Sequence, residues 1–131
     1  MIVLDASVLI AHLDAGDRHH ERAESLLADR ARDVLGASPL TLAEVLVAPA
    51  RAGRLDQAMT ALAELGIAAI PLVDDALPQL ATLRATTNLK LPDCCVLLTA
   101  ETTQAAIATF DERLAAAAED RGLPVHGRAA R

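Results

Sequence analysis

At 131 residues the chain is expected to form one domain over 1–131, because a single hydrophobic core usually serves about 100 to 150 residues. Apolar residues make up 53% of it, almost all Ala, Leu and Val; Phe110 is the only aromatic, which excludes a row of aromatic platforms for stacking bases. The formal net charge of −6 excludes a protein that coats nucleic acid non-specifically through Lys and Arg, so any contact with nucleic acid has to be local.

Short β-branched or Leu-rich runs alternate with longer amphipathic ones, the pattern of βαβ units and a parallel sheet. The first strand is predicted over 2–5 (IVLD), with Asp5 ending it and starting a helix. A helix follows in "HHERAESLLADRA", where Ala23, Leu26, Leu27 and Arg30 share one face, and then a strand over 33–37 (DVLGA). "LTLAEVLVA" places Leu42, Val45 and Leu46 together on a helix, and Pro49 should kink or break its join to the next. That next helix, "LDQAMTALAELG", carries Leu55, Met59, Leu62 and Leu65 and stops at Gly66.

A strand over 67–72, a helix over 74–87 begun by Asp74 and Asp75, and a helix over 92–104 opened by Pro92 come next. A strand over 105–109, a helix beginning at Asp111 and a strand over 123–126 complete the pattern, with the tail "GRAAR" expected to fray. Cys94 and Cys95 are sequence neighbours, which suits small core residues in a reducing compartment rather than a disulfide framework. No charge-free stretch of about twenty apolar residues occurs, so a cytoplasmic protein with no membrane partner is expected.

Asp5 is out of place in "IVLDASVLIAHL", because a carboxylate is poorly tolerated in an apolar setting unless something compensates it. Three other acids stand at similar places: Glu44 in "SPLTLAEV", Asp93 in "KLPDCC" and Asp111 in "TFDERL". Each has a structural explanation. Thr41 to Glu44 matches a T-x-x-E capping box, favoured about two to one when taken alone. Asp93 can complement a helix dipole, and Asp111 can be an N-cap worth about 1 kcal/mol.

The set implies more than its members. If the first and fourth strands are neighbours, Asp5, Asp93 and Asp111 meet at one sheet edge with Glu44 across a cleft. Two like charges about 4 Å apart repel by roughly 4 kcal/mol at an effective dielectric of 20, so such a cluster calls for a cation. Only Lys90 and Arg113 are basic nearby in sequence. A hard divalent ion such as Mg²⁺, which binds one or two carboxylates and completes its shell with water and phosphate oxygens, is the natural compensation.

With "IVLDASVLIAHL", "SPLTLAEVL" and "KLPDCCVLLTAETTQAAIATFDERLA" in this order, the chain resembles a PIN domain and, within that family, the VapC-type toxin of a bacterial VapBC toxin–antitoxin pair. The resemblance implies a three-layer α/β/α domain with a central five-stranded parallel sheet, Mg²⁺ (or Mn²⁺ in its place) in the cleft, and endoribonuclease activity on RNA. Carried over by position, Asp5, Glu44, Asp93 and Asp111 are the catalytic acids. Asp5, Asp93 and Asp111 are the metal-binding ones, and Ser7 and Thr109 are the hydroxyls that orient carboxylates. Glu44 positions or deprotonates the attacking water.

A cognate VapB-type antitoxin covering the cleft is implied as well. So is a homodimer, formed through the helices containing Leu46 and Leu62, within a larger toxin–antitoxin assembly. One departure from the family is "DCC", where a small residue such as alanine commonly follows the aspartate.

A haloacid dehalogenase-type phosphatase needs a second aspartate where Ser7 stands, a receiver domain needs a late lysine, and a Rossmann module needs a glycine-rich loop after the first strand. The strongest rival is a non-catalytic PIN-like module that binds RNA or protein. His19 and His20 are expected to be solvated, with odds of about ten to one against zinc. For Arg51, Arg54, Arg84 and Lys90, contact with an RNA backbone and a solvated role weigh equally.

Overall fold

In the computed structural model, which describes residues 1–128, the elements in chain order are β1 (Ile2–Leu4), α1 (Ala6–Leu13), α2 (His20–Asp29), β2 (Leu35–Ala37), α3 (Pro39–Arg51) and α4 (Leu55–Glu64). There follow β3 (Ala68–Ala69), α5 (Ala76–Thr87), α6 (Leu91–Thr103), β4 (Ala106–Ala108), α7 (Glu112–Asp120) and β5 (Val125–His126). All five strands are parallel, in the order β3-β2-β1-β4-β5. Every strand anticipated from the sequence is present, though shorter. β3 ends before Pro71, which has no N–H for a ladder and is tolerated because this is an edge strand.

Alternation along β1 divides the core. Ile2 and Leu4 pack with Val8, Leu9, Ala23, Leu27, Val45 and Leu62 of α1–α4. Val3 points the other way, to Ile107 and the buried residues of α5–α7. The sheet is thus the middle of three layers, as the resemblance implied. α6 is buried without a break from Cys94 to Ala100, which is why its sequence reads as apolar all round rather than striped. Both cysteines are packing residues there, as expected. No helix among the described residues is long and apolar enough to cross a membrane.

Four expectations need correction. Pro49 does not break its helix; it lies in the last turn of α3, which continues to Arg51. In the last turn proline forfeits only the one i→i−4 bond its own N–H would have made, and the Pro49 carbonyl accepts from Arg54 N at 2.8 Å to close the turn. On α4 the buried residues are Ala58 and Leu62, while Leu55 and Met59 are exposed, so the stripe is rotated from the one expected. Arg30 lies beyond the end of α2, exposed to solvent and not on its packed face.

The tail is also better held than expected. Gly127 O accepts from Arg22 at 2.6 Å, and Arg128 pairs with Glu112 and Glu119; residues 129–131 of the tail lie outside the described residues. Gly127 has φ +93°, and a Cβ there would stand 2.7 Å from Thr109 O, a backbone atom that cannot move aside. Gly127→Ala is therefore expected to cost about 1–3 kcal/mol of stability, read from the midpoint of a urea unfolding curve.

Candidate active site at the carboxyl ends of β1 and β4

The strand order makes β1 the point where connections diverge: β2 and β3 lie on one side of it, and β4 and β5 on the other. Ligand sites of open parallel sheets lie outside the strand ends at such a switch point. Register along β1 and β4 pairs Leu4 with Ala108, which sets Asp5 beside Thr109, and Asp5 N donates to Ala108 O at 2.9 Å.

Asp5 is only 6% exposed, and its compensation is visible. Ser7 Oγ and Thr109 Oγ1 donate to the same oxygen, Oδ2, at 2.7 and 2.8 Å. Each hydroxyl has one proton, so with both protons directed at Asp5 the 3.4 Å Ser7–Thr109 approach is a contact of lone pairs. The hydroxyls accept in turn from backbone: Phe110 N donates to Ser7 Oγ at 3.0 Å and Asp111 N to Thr109 Oγ1 at 2.9 Å. Ser7 and Thr109 thus hold one Asp5 oxygen in place. Its Oδ1 takes no hydrogen bond among the described residues.

The structural explanations for the other acids separate at this point. Glu44 is not part of a capping box, because Ser38 is the N-cap of α3 and accepts from Thr41 N at 3.2 Å. Thr41 is buried in the first turn, and Glu44 lies one turn further on with its exposed side chain unengaged among the described residues. Asp93 stands in the first turn of α6, where Lys90 is the N-cap and no side chain caps. Asp111 is indeed an N-cap: its Oδ1 accepts from Arg113 N and Leu114 N at 2.9 and 3.2 Å, leaving Oδ2 over.

Electrostatics tie the four together. Burial, then the charges of Asp5, Asp111 and Glu44, push the Asp93 carboxyl from 3.8 up to about 6, opposed only by Lys90. Burial and the Asp5 charge push Glu44 up as well. The four acids, up to 106 positions apart in sequence (111 − 5 = 106), therefore lie within reach of one another's fields. Arg113 has no part in these shifts.

The donors are all oxygens, which suits Mg²⁺ or Mn²⁺, whereas burial pushes both neighbouring thiols up and keeps them from acting as soft ligands. Among the described residues no three His, Cys, Asp or Glu side chains are grouped as a direct ligand set. That is compatible with an ion that typically takes one or two carboxylates and keeps its waters.

Two side chains near this site, Phe110 and Arg22, have no role in the sequence reading. Phe110 connects Thr109 to Asp111 and ties its backbone to Ser7; its ring lies 5.2 Å from that of His19 and 4.6 Å below the Arg22 guanidinium carbon. The isolated aromatic between two site residues was the available signal. His19 and His20 are half-buried rather than solvated, His20 Nδ1 lying 2.7 Å from Ala11 O.

A three-layer parallel α/β domain with four acidic side chains at its topological switch point is the class these observations define. The chain belongs to the PIN domain family, whose profile matches residues 2–120. Its structure is similar to that of VapC20 from Mycobacterium tuberculosis, a sarcin–ricin-loop-cleaving toxin, at TM-score 0.76 and 20% identity over 89% of this chain and 95% of that one. It is similar also to a toxin–antitoxin complex from Klebsiella pneumoniae (0.67, 25%, 85% and 87%). A third likeness is to VapBC2 from Rickettsia felis, bound to a DNA fragment from its promoter (0.72, 14%, 96% and 98%). No curated protein sequence matches the chain.

Proposed function

We propose that the chain is a cytoplasmic metal-dependent endoribonuclease, the toxin of a type II toxin–antitoxin pair, which hydrolyses phosphodiester bonds in a structured RNA such as a transfer or ribosomal RNA. The observation that carries this reading is the convergence of Asp5, Glu44 and Asp111 on Asp93, whose carboxyl is lifted to about 6 by burial first and by the charges of the other three second. The repulsion among these acids is a standing cost unless a cation offsets it.

Asp5, Asp93 and Asp111 are the residues proposed to hold Mg²⁺ or Mn²⁺, directly or through water. A bound divalent ion would supply charge to a phosphodiester and lower the pKa of an attacking water. The chain's own part is positional and acid–base. Ser7 and Thr109 restrict Asp5 to one orientation, and the Asp111 Oδ1 cap fixes the direction of its Oδ2. Glu44, exposed and raised in pKa by burial and then by the Asp5 charge, is the residue proposed to position or deprotonate the attacking water. Products with a 5′-phosphate and a 3′-hydroxyl are expected.

EDTA is expected to abolish cleavage while the far-UV circular dichroism of the fold persists, because the core on both sheet faces is independent of the acids. Cleavage that survives exhaustive chelation would overturn the metal's role. The rival reading is a non-catalytic module that binds RNA or protein. Metal-dependent cutting that an Asp5→Ala protein lacks would decide for the nuclease.

An antitoxin is the proposed partner, in keeping with the toxin–antitoxin neighbours. A largely apolar groove of about 450 Å³ between α1, α3 and α4, lined by Ile10, Leu13, Val45 and Pro49 with Glu44 at its edge, offers a segment of such a partner a path to the acids. The proposed homodimer forms through the helices containing Leu46 and Leu62, whose own side chains pack in the core. Val47, Leu55 and Met59 are the exposed apolar residues of those helices.

A further inference from the structure

Phe110 is the only aromatic residue in the chain, and it is joined covalently and by hydrogen bonding to the acidic network. Above its ring stands Arg22, whose guanidinium carbon is 4.6 Å from the centroid and whose Nη2 donates to Gly127 O at 2.6 Å. The head of this exposed arginine is therefore anchored twice, by ring and by carbonyl. It borders an open depression of about 410 Å³ shared with Ser25, Phe110 and Gly127, in which Glu21 is the acidic member.

The neighbours of Arg22 supply a second observation. Arg18 Nε approaches His19 Nε2 at 3.1 Å, and Arg22 Nη1 approaches His19 Nδ1 at 3.2 Å. A neutral imidazole has one acceptor nitrogen; its other nitrogen bears hydrogen, so it cannot satisfy both guanidiniums. Among the described residues neither Arg18 nor Arg22 has a carboxylate within ion-pair distance, and unlike the other unpaired arginines these two share a single imidazole. The cluster holds more donors than acceptors, beside a cleft otherwise dominated by negative charge, and an anion is the group that would complete it.

We propose that Arg18, His19, Arg22 and Phe110 form the subsite for the nucleotide next to the cut. A base stacks on the Arg22 guanidinium, which itself rests on Phe110, and the adjoining phosphate sits between Arg18 and Arg22. The inference rests on the ribonuclease reading and adds to it the residues that hold the strand. Unpaired bases are recognised by stacking on aromatic rings and on arginine planes, and a planar guanidinium with a fixed position loses little freedom on binding. This subsite also reconciles RNA binding with an acidic protein, because the contact is local and is made by two guanidiniums with no carboxylate partner among the described residues.

The test uses Arg22→Gln, which keeps most of the stem, with Arg22→Lys and Phe110→Leu beside it, each checked for folding by circular dichroism. Two quantities are read: KM and kcat for cleavage of a short fluorescein-labelled single-stranded RNA in Mg²⁺, and Kd for that RNA by anisotropy in EDTA across a salt series. Arg22→Gln is expected to raise KM and Kd about tenfold with kcat within about twofold, and to reduce the log Kd against log salt slope by about one. Arg22→Lys is expected to restore the slope but not the affinity, since it returns the charge without the plane.

A folded Arg22→Gln that matches wild type in Kd and slope would overturn the subsite, whatever hold on a protein partner it loses. So would a loss confined to kcat. Should Arg22→Gln not fold, the Arg22→Lys and Phe110→Leu affinities decide in the same way. A wild-type protein that binds the RNA without cutting it defeats the nuclease reading alone, and the Kd comparison still stands as the test of the subsite.

Discussion

Asp93→Asn is expected to remove cleavage, by more than about a hundredfold, and at the same time to make the metal-free protein more stable at pH 7–8. The second effect follows from the raised carboxyl. An unfolded Asp93 titrates near 3.8 and the folded one near 6, so between those values the folded state binds the extra proton. Stability therefore falls as pH rises through that window, and above about pH 6 the whole penalty is in force.

Asparagine carries no charge, so the variant loses that decline and melts a few degrees above wild type at pH 7.5 in EDTA, with no gain at pH 3.5. Added Mg²⁺ should reverse the order by stabilising wild type, since an ion that binds only the folded state raises its melting temperature, while the variant responds weakly. Thermal melts at two pH values, with and without Mg²⁺, check every arm. An Asp93→Asn protein that is less stable than wild type at pH 7.5 in EDTA, or that still cuts at the wild-type rate, would show that Asp93 is not a strained metal-binding acid.

Thr109→Val is expected to be costly on both counts although valine has nearly the same shape. Thr109 is fully buried, and its hydroxyl donates to Asp5 Oδ2 while accepting from Asp111 N. The substitution leaves a buried carboxylate oxygen with one donor instead of two and leaves a backbone N–H unmatched. Loss of a hydrogen bond to a charged group, together with an orphaned donor, amounts to about 2–3 kcal/mol, and loosening a metal-binding carboxylate typically lowers activity about 10–100-fold. Ser7→Ala, at a half-buried position, should cost less stability because water can reach the vacated place. Urea unfolding and cleavage rates of the two variants test the order. Equal stability of Thr109→Val and wild type would mean that Asp5 is held by other means.

How far the site could be read from sequence differs from residue to residue. Asp5 was conspicuous, because a carboxylate among Ile2, Val3, Leu4, Val8 and Leu9 demands compensation whatever the fold. Asp111 was read in two ways, and both kinds of geometry are present, since one oxygen caps α7 and the other is left over. Glu44 misled when read locally. T-x-x-E matches a capping box, yet the helix begins three residues earlier at Ser38, and Pro39 at its first position was the overlooked sign. The α4 stripe misled likewise: the spacing of Leu55, Met59 and Leu62 is helical, but which side of a helix is buried depends on its neighbours, and Ala58 faces inward instead.

Sequence by itself determined the element types and the parallel sheet and made Asp5 conspicuous, because strand and helix periodicity and the discomfort of a charge in an apolar run are local properties. Only the tertiary structure decided that Thr109 and Ser7 share one oxygen of Asp5, that Asp93 feels three other charges, and that Arg22 rests on Phe110. These contacts join residues from 2 to 104 positions apart (7 − 5 = 2; 109 − 5 = 104), and most depend on β4 lying against β1 rather than on anything in the neighbouring sequence. Distances across a sheet are set by strand order, and strand order is a property of the whole packed core.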